Sequence, residues 1–382
     1  MFSFQKFRTK KMIQTGCHLL IFLACFSIVS WQCFKCVQKF VDKPQGTKLS
    51  VVKTAGKLFP TVTVCPKPFG YSDFVFNRTL LAQCGNISHD NYRWDGLWAG
   101  NGSAECTDPA ILYERVTPKP AALIKQINIS LYSGQQNDIH YIYPSQDSEV
   151  FVPLDMSFYG RCYSLNISQE IMDKGIFWLT FDFWTDVRVF VHNIGTLITV
   201  RTARSQYNDI KVGKRHVLNV AHDYFKMLDF EGTPCEKDEK YSLDQCIFKY
   251  LRKESLQELG CVTPFSFNHS DICTDKVKGY KAVQILNKYR KNGVDSNVDC
   301  LEACSYLSIK VTEVATRETE VPNTGQLILS FRQKMQATVS YYLYEALSLV
   351  AEIGGYVGLF LGASVYQVTD LIDIGTKKFL SL

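Results

Sequence analysis

Two long apolar runs lie towards the ends of the chain, and between them the hydrophobic pattern breaks into short, strand-like pieces. Residues 12–34 carry no charge between Lys11 and Lys35. That run exceeds the ~20 apolar residues needed to cross a bilayer. Trp31 and Phe34 stand where an interfacial aromatic belt would form. A cleaved signal peptide is the competing reading, because Lys6, Arg8, Lys10 and Lys11 precede the run; but it is long for such a segment, and no small-x-small cleavage site follows it cleanly. The second run covers residues 341–372. Its centre, 353–369, is free of charge, and residues 346–351 extend it upstream past Glu352. Tyr341, Tyr342 and Tyr344 would mark its outer interface. A buried core helix is the alternative here, opposed by the run's late position and by Lys377 and Lys378 just beyond it.

Between the runs, residues 61–64 alternate before a Cys-Pro turn. Residues 176–191 are rich in β-branched and aromatic types and too long for one strand, and residues 326–331 read as a strand leading back to the second run. A helix is expected over residues 243–259, with Ser242 and Gln245 in a capping-box pattern and Gly260 as the stop. No repeat or low-complexity linker divides this stretch, which therefore reads as one mixed domain.

Charge and cysteine usage orient the chain. The first tail carries four basic and no acidic residues, and Lys377 and Lys378 follow the second run, so positive-inside bias puts both termini in the cytosol. The region between the runs then lies outside. Four of the 14 cysteines, Cys17, Cys25, Cys33 and Cys36, sit at or beside the first run. The other ten are Cys65, Cys84, Cys106, Cys162, Cys235, Cys246, Cys261, Cys273, Cys300 and Cys304. They form no zinc-like doublets and suit five bridges in an oxidising compartment. Six N-glycosylation sequons start at Asn77, Asn86, Asn101, Asn128, Asn166 and Asn268, with none in either tail. They point to the same side.

The net charge of +5 is modest and forms no long basic run, which excludes nucleic acid as an expected partner. No H-E-x-x-H, G-x-S-x-G, Walker loop or G-x-G-x-x-G occurs, so no enzyme, metal or cofactor is expected. His192 and His216 read equally well as core or surface residues. The Cys33–Cys36 pair resembles a redox motif only superficially.

The second run carries the candidate chemistry. Gly354, Gly358 and Gly362 recur every four residues and share one helix face. Such a face serves close helix packing or lines a pore where backbone and hydroxyl oxygens replace part of an ion's hydration shell. The charges favour the pore. Glu352 lies near the outer end and Asp370 and Asp373 near the inner end. A carboxylate at such depth must face water or a partner, and acidic rings attract cations.

With these residues in view, the stretch 346–373 closely resembles the second transmembrane segment of the degenerin/epithelial sodium channel (amiloride-sensitive sodium channel) family. Gly362-Ala363-Ser364 matches the family's Gly-x-Ser selectivity filter, Asp370 and Asp373 its acidic positions after the filter, and Ala351 its small-residue degenerin position, the gate. Residues 58–65 resemble the strand after the first span, residues 160–166 a mid-ectodomain cysteine strand, Val189-Phe-Val-His192 a palm strand, and the surroundings of Cys235 and Cys246 the thumb. The insect pickpocket branch is the nearest. The family pattern implies bridges Cys65–Cys162, Cys235–Cys304 and Cys246–Cys300, which leaves Cys84–Cys106 and Cys261–Cys273. The chain also departs from the family: the His-Gly motif expected before the first span is missing, a Pro expected near Cys304 is absent, and residues 65–162 match poorly.

The resemblance implies an α+β membrane protein, with two transmembrane helices flanking one large disulfide-rich ectodomain. The expected division is a cytosolic tail (1–11), transmembrane helix 1 (12–36), the extracellular domain (37–339), transmembrane helix 2 with the filter (340–373) and a second cytosolic tail (374–382). The expected function is a subunit of an amiloride-sensitive, sodium-selective channel of the plasma membrane, a homo- or heterotrimer with related subunits. It would conduct Na+, contact membrane lipid and answer an unidentified extracellular ligand. Two alternatives stand: a non-conducting regulatory or receptor subunit, favoured by the missing His-Gly motif, and an ATP-gated-type channel, opposed by the filter and the context of Cys65.

Overall fold

The computed structural model describes residues 2–54, 59–67, 84, 97–98, 103–131, 139–146, 148–156, 160–193, 207–229, 232–238, 241–264, 271–292 and 299–361; among these, side chains are described except at 2–19, 21, 104, 148, 155, 156, 160, 287–292 and 361. The chain forms two compact units, Leu49–Val339 and Met1–Lys48 with Ser340–Leu382. Its strands are β1 Gln45–Lys53, β2 Thr61–Pro66, β3 Ile124–Leu131, β4 Ile139–Ile142, β5 Phe151–Met156, β6 Gly160–Leu165, β7 Ile176–Phe183, β8 Val187–His192, β9 Tyr207–Ile210, β10 Lys214–Lys226, β11 Cys235–Glu236, β12 Glu302–Ala303, β13 Ser305–Glu318, β14 Gly325–Phe331 and β15 Lys334–Tyr342. The longer helices are α1 Phe2–Val41, α2 Pro109–Val116, α3 Leu243–Leu259, α4 Lys276–Asn292 and α5 Ala346–Leu361.

The larger unit is built on an eight-stranded sheet in the order β1-β15-β10-β14-β7-β3-β4, with β13 paired to β10. Strand β7 shows why it forms. Its period-2 pattern sends Leu179, Phe181 and Phe183 to one face, where all three are fully buried. Register places Leu329 and Ile129 opposite Leu179, and Leu327 and Ile127 opposite Phe181. The other face of β7 carries Asp182, whose carboxylate accepts hydrogen bonds from Gln126 Nε2 on β3 (2.6 Å) and Gln326 Nε2 on β14 (2.9 Å). Two strand neighbours thus satisfy a carboxylate that is only 7 % exposed.

The apolar stretch 176–191 divides into β7 and β8, which join different sheets. Asp186 marks the break: its carboxylate accepts from Val212 N at 2.8 Å and its carbonyl from Lys67 N. Strand β8 then enters a five-stranded sheet in the order β5-β6-β2-β8-β9. Thr63 Oγ1 lies 2.6 Å from Ser164 Oγ and 2.7 Å from His192 Nε2, and His192 Nδ1 lies 2.8 Å from the Asn193 carbonyl. A neutral ring fits this: Nδ1–H donates to the carbonyl and Nε2 accepts from Thr63. Burial pushes the His192 pKa down to about 4.

Helix α3 starts at Ser242, whose Oγ accepts from Gln245 N, and stops at Gly260, which takes the left-handed conformation at φ +71°. Helix α4 and the long β10–β13 ribbon lack an equally plain sequence signal. Gly279 on α4 allows a close approach: a Cβ there would lie 2.3 Å from Trp98, whose indole N–H donates to the Cys273 carbonyl at 2.7 Å.

Five disulfides bind the larger unit: Cys65–Cys162, Cys84–Cys106, Cys235–Cys304, Cys246–Cys300 and Cys261–Cys273. Cys304 also pairs through its backbone, its N–H donating to the Glu236 carbonyl and its carbonyl accepting from Met227 N. Among the described residues Cys25, Cys33 and Cys36 are free thiols.

The smaller unit contains α1 and α5, which pack against each other. Among the described residues, no helix is long and apolar enough to cross a membrane. The described part of α5 has 16 residues, about 24 Å at 1.5 Å per residue, against a hydrocarbon core of about 30 Å. Helix α1 begins at Phe2, inside the expected tail, and runs on to Val41. The second apolar run turns helical only at Ala346, because Tyr341 and Tyr342 belong to β15 and the Leu343 N–H donates to the Pro44 carbonyl at 2.8 Å.

Two stability predictions follow from this packing. Replacing Cys246 and Cys300 together by serine opens a closure of 54 residues and should cost about 2–5 kcal/mol, read as a lower melting temperature of the purified full chain; an unchanged melting temperature would remove the bridge from the account. His192 has a folded pKa below its unfolded value. Its contribution is therefore complete above the unfolded value, about 6.5, and is lost as pH falls through the folded value, about 4. Within that window this group should lower stability by about 1.4 kcal/mol per pH unit. His192→Gln should flatten that slope; a slope equal to the wild type would show that other groups carry it.

Candidate functional site

Glu352 lies in the second turn of α5, and its carboxylate faces α1. Cys36 and Lys39, three residues apart on α1, present side chains from one helix face. The Cys36 thiol donates to Glu352 Oε2 at 3.3 Å, and Lys39 Nζ donates to Oε1 at 3.3 Å. The Tyr344 hydroxyl, just before α5, donates to Oε2 at 2.8 Å. Lys39 Nζ also stands 4.2 Å from the centre of the Tyr344 ring, a cation–π distance. Cys36 and Tyr344 are buried, while Lys39 and Glu352 keep half-exposed side chains.

The rest of α5 has two faces. Ile353, Tyr356, Val357 and Phe360 are half-buried, whereas Ala351, Gly354, Gly355, Gly358 and Leu359 are exposed. A Cβ added at Gly354 or Gly355 would meet no atom within 4 Å. The small-residue face is thus open in the single chain, and Ala351 lies on it.

The structure places the Glu352 carboxylate against α1. Sequence reasoning did not connect it with Cys36, Lys39 or Tyr344. A signal was available: a carboxylate in an apolar run requires a partner, and Lys39 is a cation just past the other run. The filter residues Gly362, Ala363 and Ser364, together with Asp370 and Asp373, lie outside the described residues. So do the sequons at Asn77, Asn86, Asn101 and Asn268. Asn166 has an exposed side chain, and Asn128, on β3, is half-buried.

Comparison with known proteins decides the family. A model of the amiloride-sensitive sodium channel family matches residues 3–374. The chain belongs to the amiloride-sensitive sodium channel family. The match is to the family as a whole and does not assign a branch within it. Its members are plasma-membrane channels, so membership makes the chain a sodium channel subunit or a related channel, not an enzyme. No individually curated protein gives a significant match. One solved structure similar to the chain is a cryo-EM structure of a proton-activated chloride channel, 8 % identical, covering 96 % of this chain and 98 % of that one with a TM-score of 0.31. That score is too low to carry a conclusion about fold or ion.

Proposed function

We propose that the chain is a pore-forming subunit of a trimeric, sodium-selective channel blocked by amiloride. Family membership over residues 3–374 is the observation that carries this reading. In it, the apolar runs 12–36 and 340–373 span the plasma membrane, both termini are cytosolic, and the domain between them is extracellular. The exposed apolar side chains of α1, including Leu20, Phe22, Phe26, Trp31 and Phe34, support this, because lipid or neighbouring helices would cover them. Five disulfides in the larger unit suit an oxidising exterior.

Three copies of α5 would meet through the face that carries Ala351, Gly354 and Gly358, where small side chains permit close approach. Further along, Gly362, Ala363 and Ser364 would form the narrowest ring, with backbone and hydroxyl oxygens replacing part of the hydration shell of Na+. Asp370 and Asp373 would concentrate cations at the inner end. Ala351 would act as the gate: a small side chain lets the helices converge, and a bulky one clashes more in the closed state than in the open one.

The reading is tested by enlarging two positions in oocytes. Ala351→Trp should produce a standing inward sodium current that amiloride blocks. The direction follows from population shift; overpacking of about 1–3 kcal/mol per site, repeated in three copies, approaches the ~5.5 kcal/mol that moves a 1:99 equilibrium to 99:1. Gly362→Leu should abolish that current in the same background. A surface-expressed Ala351→Trp chain that stays silent alone and with a related subunit would contradict the proposal, as would an Ala351→Trp current unchanged by Gly362→Leu.

A further inference from the structure

The contacts around Glu352 bear on how α5 is oriented, a question the pore reading leaves open. Glu352 follows Ala351 directly and precedes Gly354 by two residues. At 100° per residue, its side chain cannot face α1 while the Ala351–Gly354–Gly358 strip faces α1 as well. Fixing one face therefore fixes the other. Four groups hold the carboxylate: the thiol of Cys36, the ammonium of Lys39, the hydroxyl of Tyr344 and, through Lys39, the Tyr344 ring. Both oxygens are engaged, and the cation sits between the acid and the aromatic face. Tyr344 and Cys36 are each only 4 % exposed, so the socket is closed on two sides.

We propose that Lys39, with Tyr344, is a positioning residue that sets the rotation of α5 by anchoring Glu352 to α1. Glu352 is then an anchor within one subunit and not a member of a cation-attracting ring. Its charge is neutralised by Lys39, so it adds little to the pore potential. Its constraint keeps the small-residue face directed away from α1, where the other subunits' helices would meet it. The part of this inference that concerns gating rests on the proposed pore; the anchoring itself does not.

A charge swap and a cross-link test the two parts separately. Lys39→Glu and Glu352→Lys should each change the amiloride-sensitive current per surface channel by about fivefold or more, and the double swap should return it to within about twofold of wild type. The sodium reversal potential should stay unchanged throughout, because the anchor is not in the ion path. A double swap no better than the single variants, or a Glu352→Gln reversal potential displaced while Lys39→Gln leaves the current intact, would overturn the proposal and return Glu352 to the pore. The cross-link needs no current. In the native chain a water-soluble carbodiimide should join the Lys39 amine to the Glu352 carboxylate as an amide, with loss of water to the carbodiimide, because the two groups stand 3.3 Å apart; the link is detected by peptide mapping of the full chain from cell membranes and abolished by Lys39→Arg. A surface-expressed native chain that forms no such link would overturn the anchor. A link in a chain that never conducts would uphold the anchor and count against the conduction reading alone.

Discussion

A carboxylate set among apolar side chains must find a partner, and in this chain Glu352 finds its partners on another helix. Such a group is costly to leave unpaired where water is scarce, and here both of its oxygens are engaged. The contact with Lys39, Tyr344 and Cys36 joins α5 to α1. On the anchoring proposal it sets which side of α5 is covered and which stays open. The open side holds the glycines and Ala351, the residues that suit close approach by further copies.

The larger unit solves a different problem with the same economy of partners. Its central strand β7 buries Leu179, Phe181 and Phe183 on one face and satisfies Asp182 on the other through glutamines from both neighbouring strands. Disulfides close segments that secondary structure alone would leave free to separate, the longest of them 97 residues apart in sequence. Such closures restrict the unfolded chain and persist in an oxidising medium.

Much of this was legible in the sequence where a local rule acts alone. Ser242 and Gly260 bound a helix because capping and left-handed geometry are properties of a few adjacent residues. The break within 176–191 was visible as a run too long for one strand. The cysteine partners were not visible from spacing, since ten cysteines admit many pairings; only the family resemblance proposed them. The β10–β13 ribbon was hidden because its pairing spans about 90 residues and its exposed face is polar. Tyr341 and Tyr342 adjoin the apolar run in sequence, yet they end β15 and the helix begins only at Ala346. Lys39 escaped notice because its role depends on a contact with a residue 313 positions away.

The central claim is selective passage of sodium, and it is measured most directly by ion substitution. With the chain in oocytes, alone or beside a related subunit, the amiloride-blocked current is recorded while external sodium is replaced by potassium. The account predicts a reversal potential that moves negative by about 59 mV for every tenfold preference for sodium. A reversal potential that does not move, or a surface-expressed chain that never carries an amiloride-blocked current with any related subunit, would contradict it.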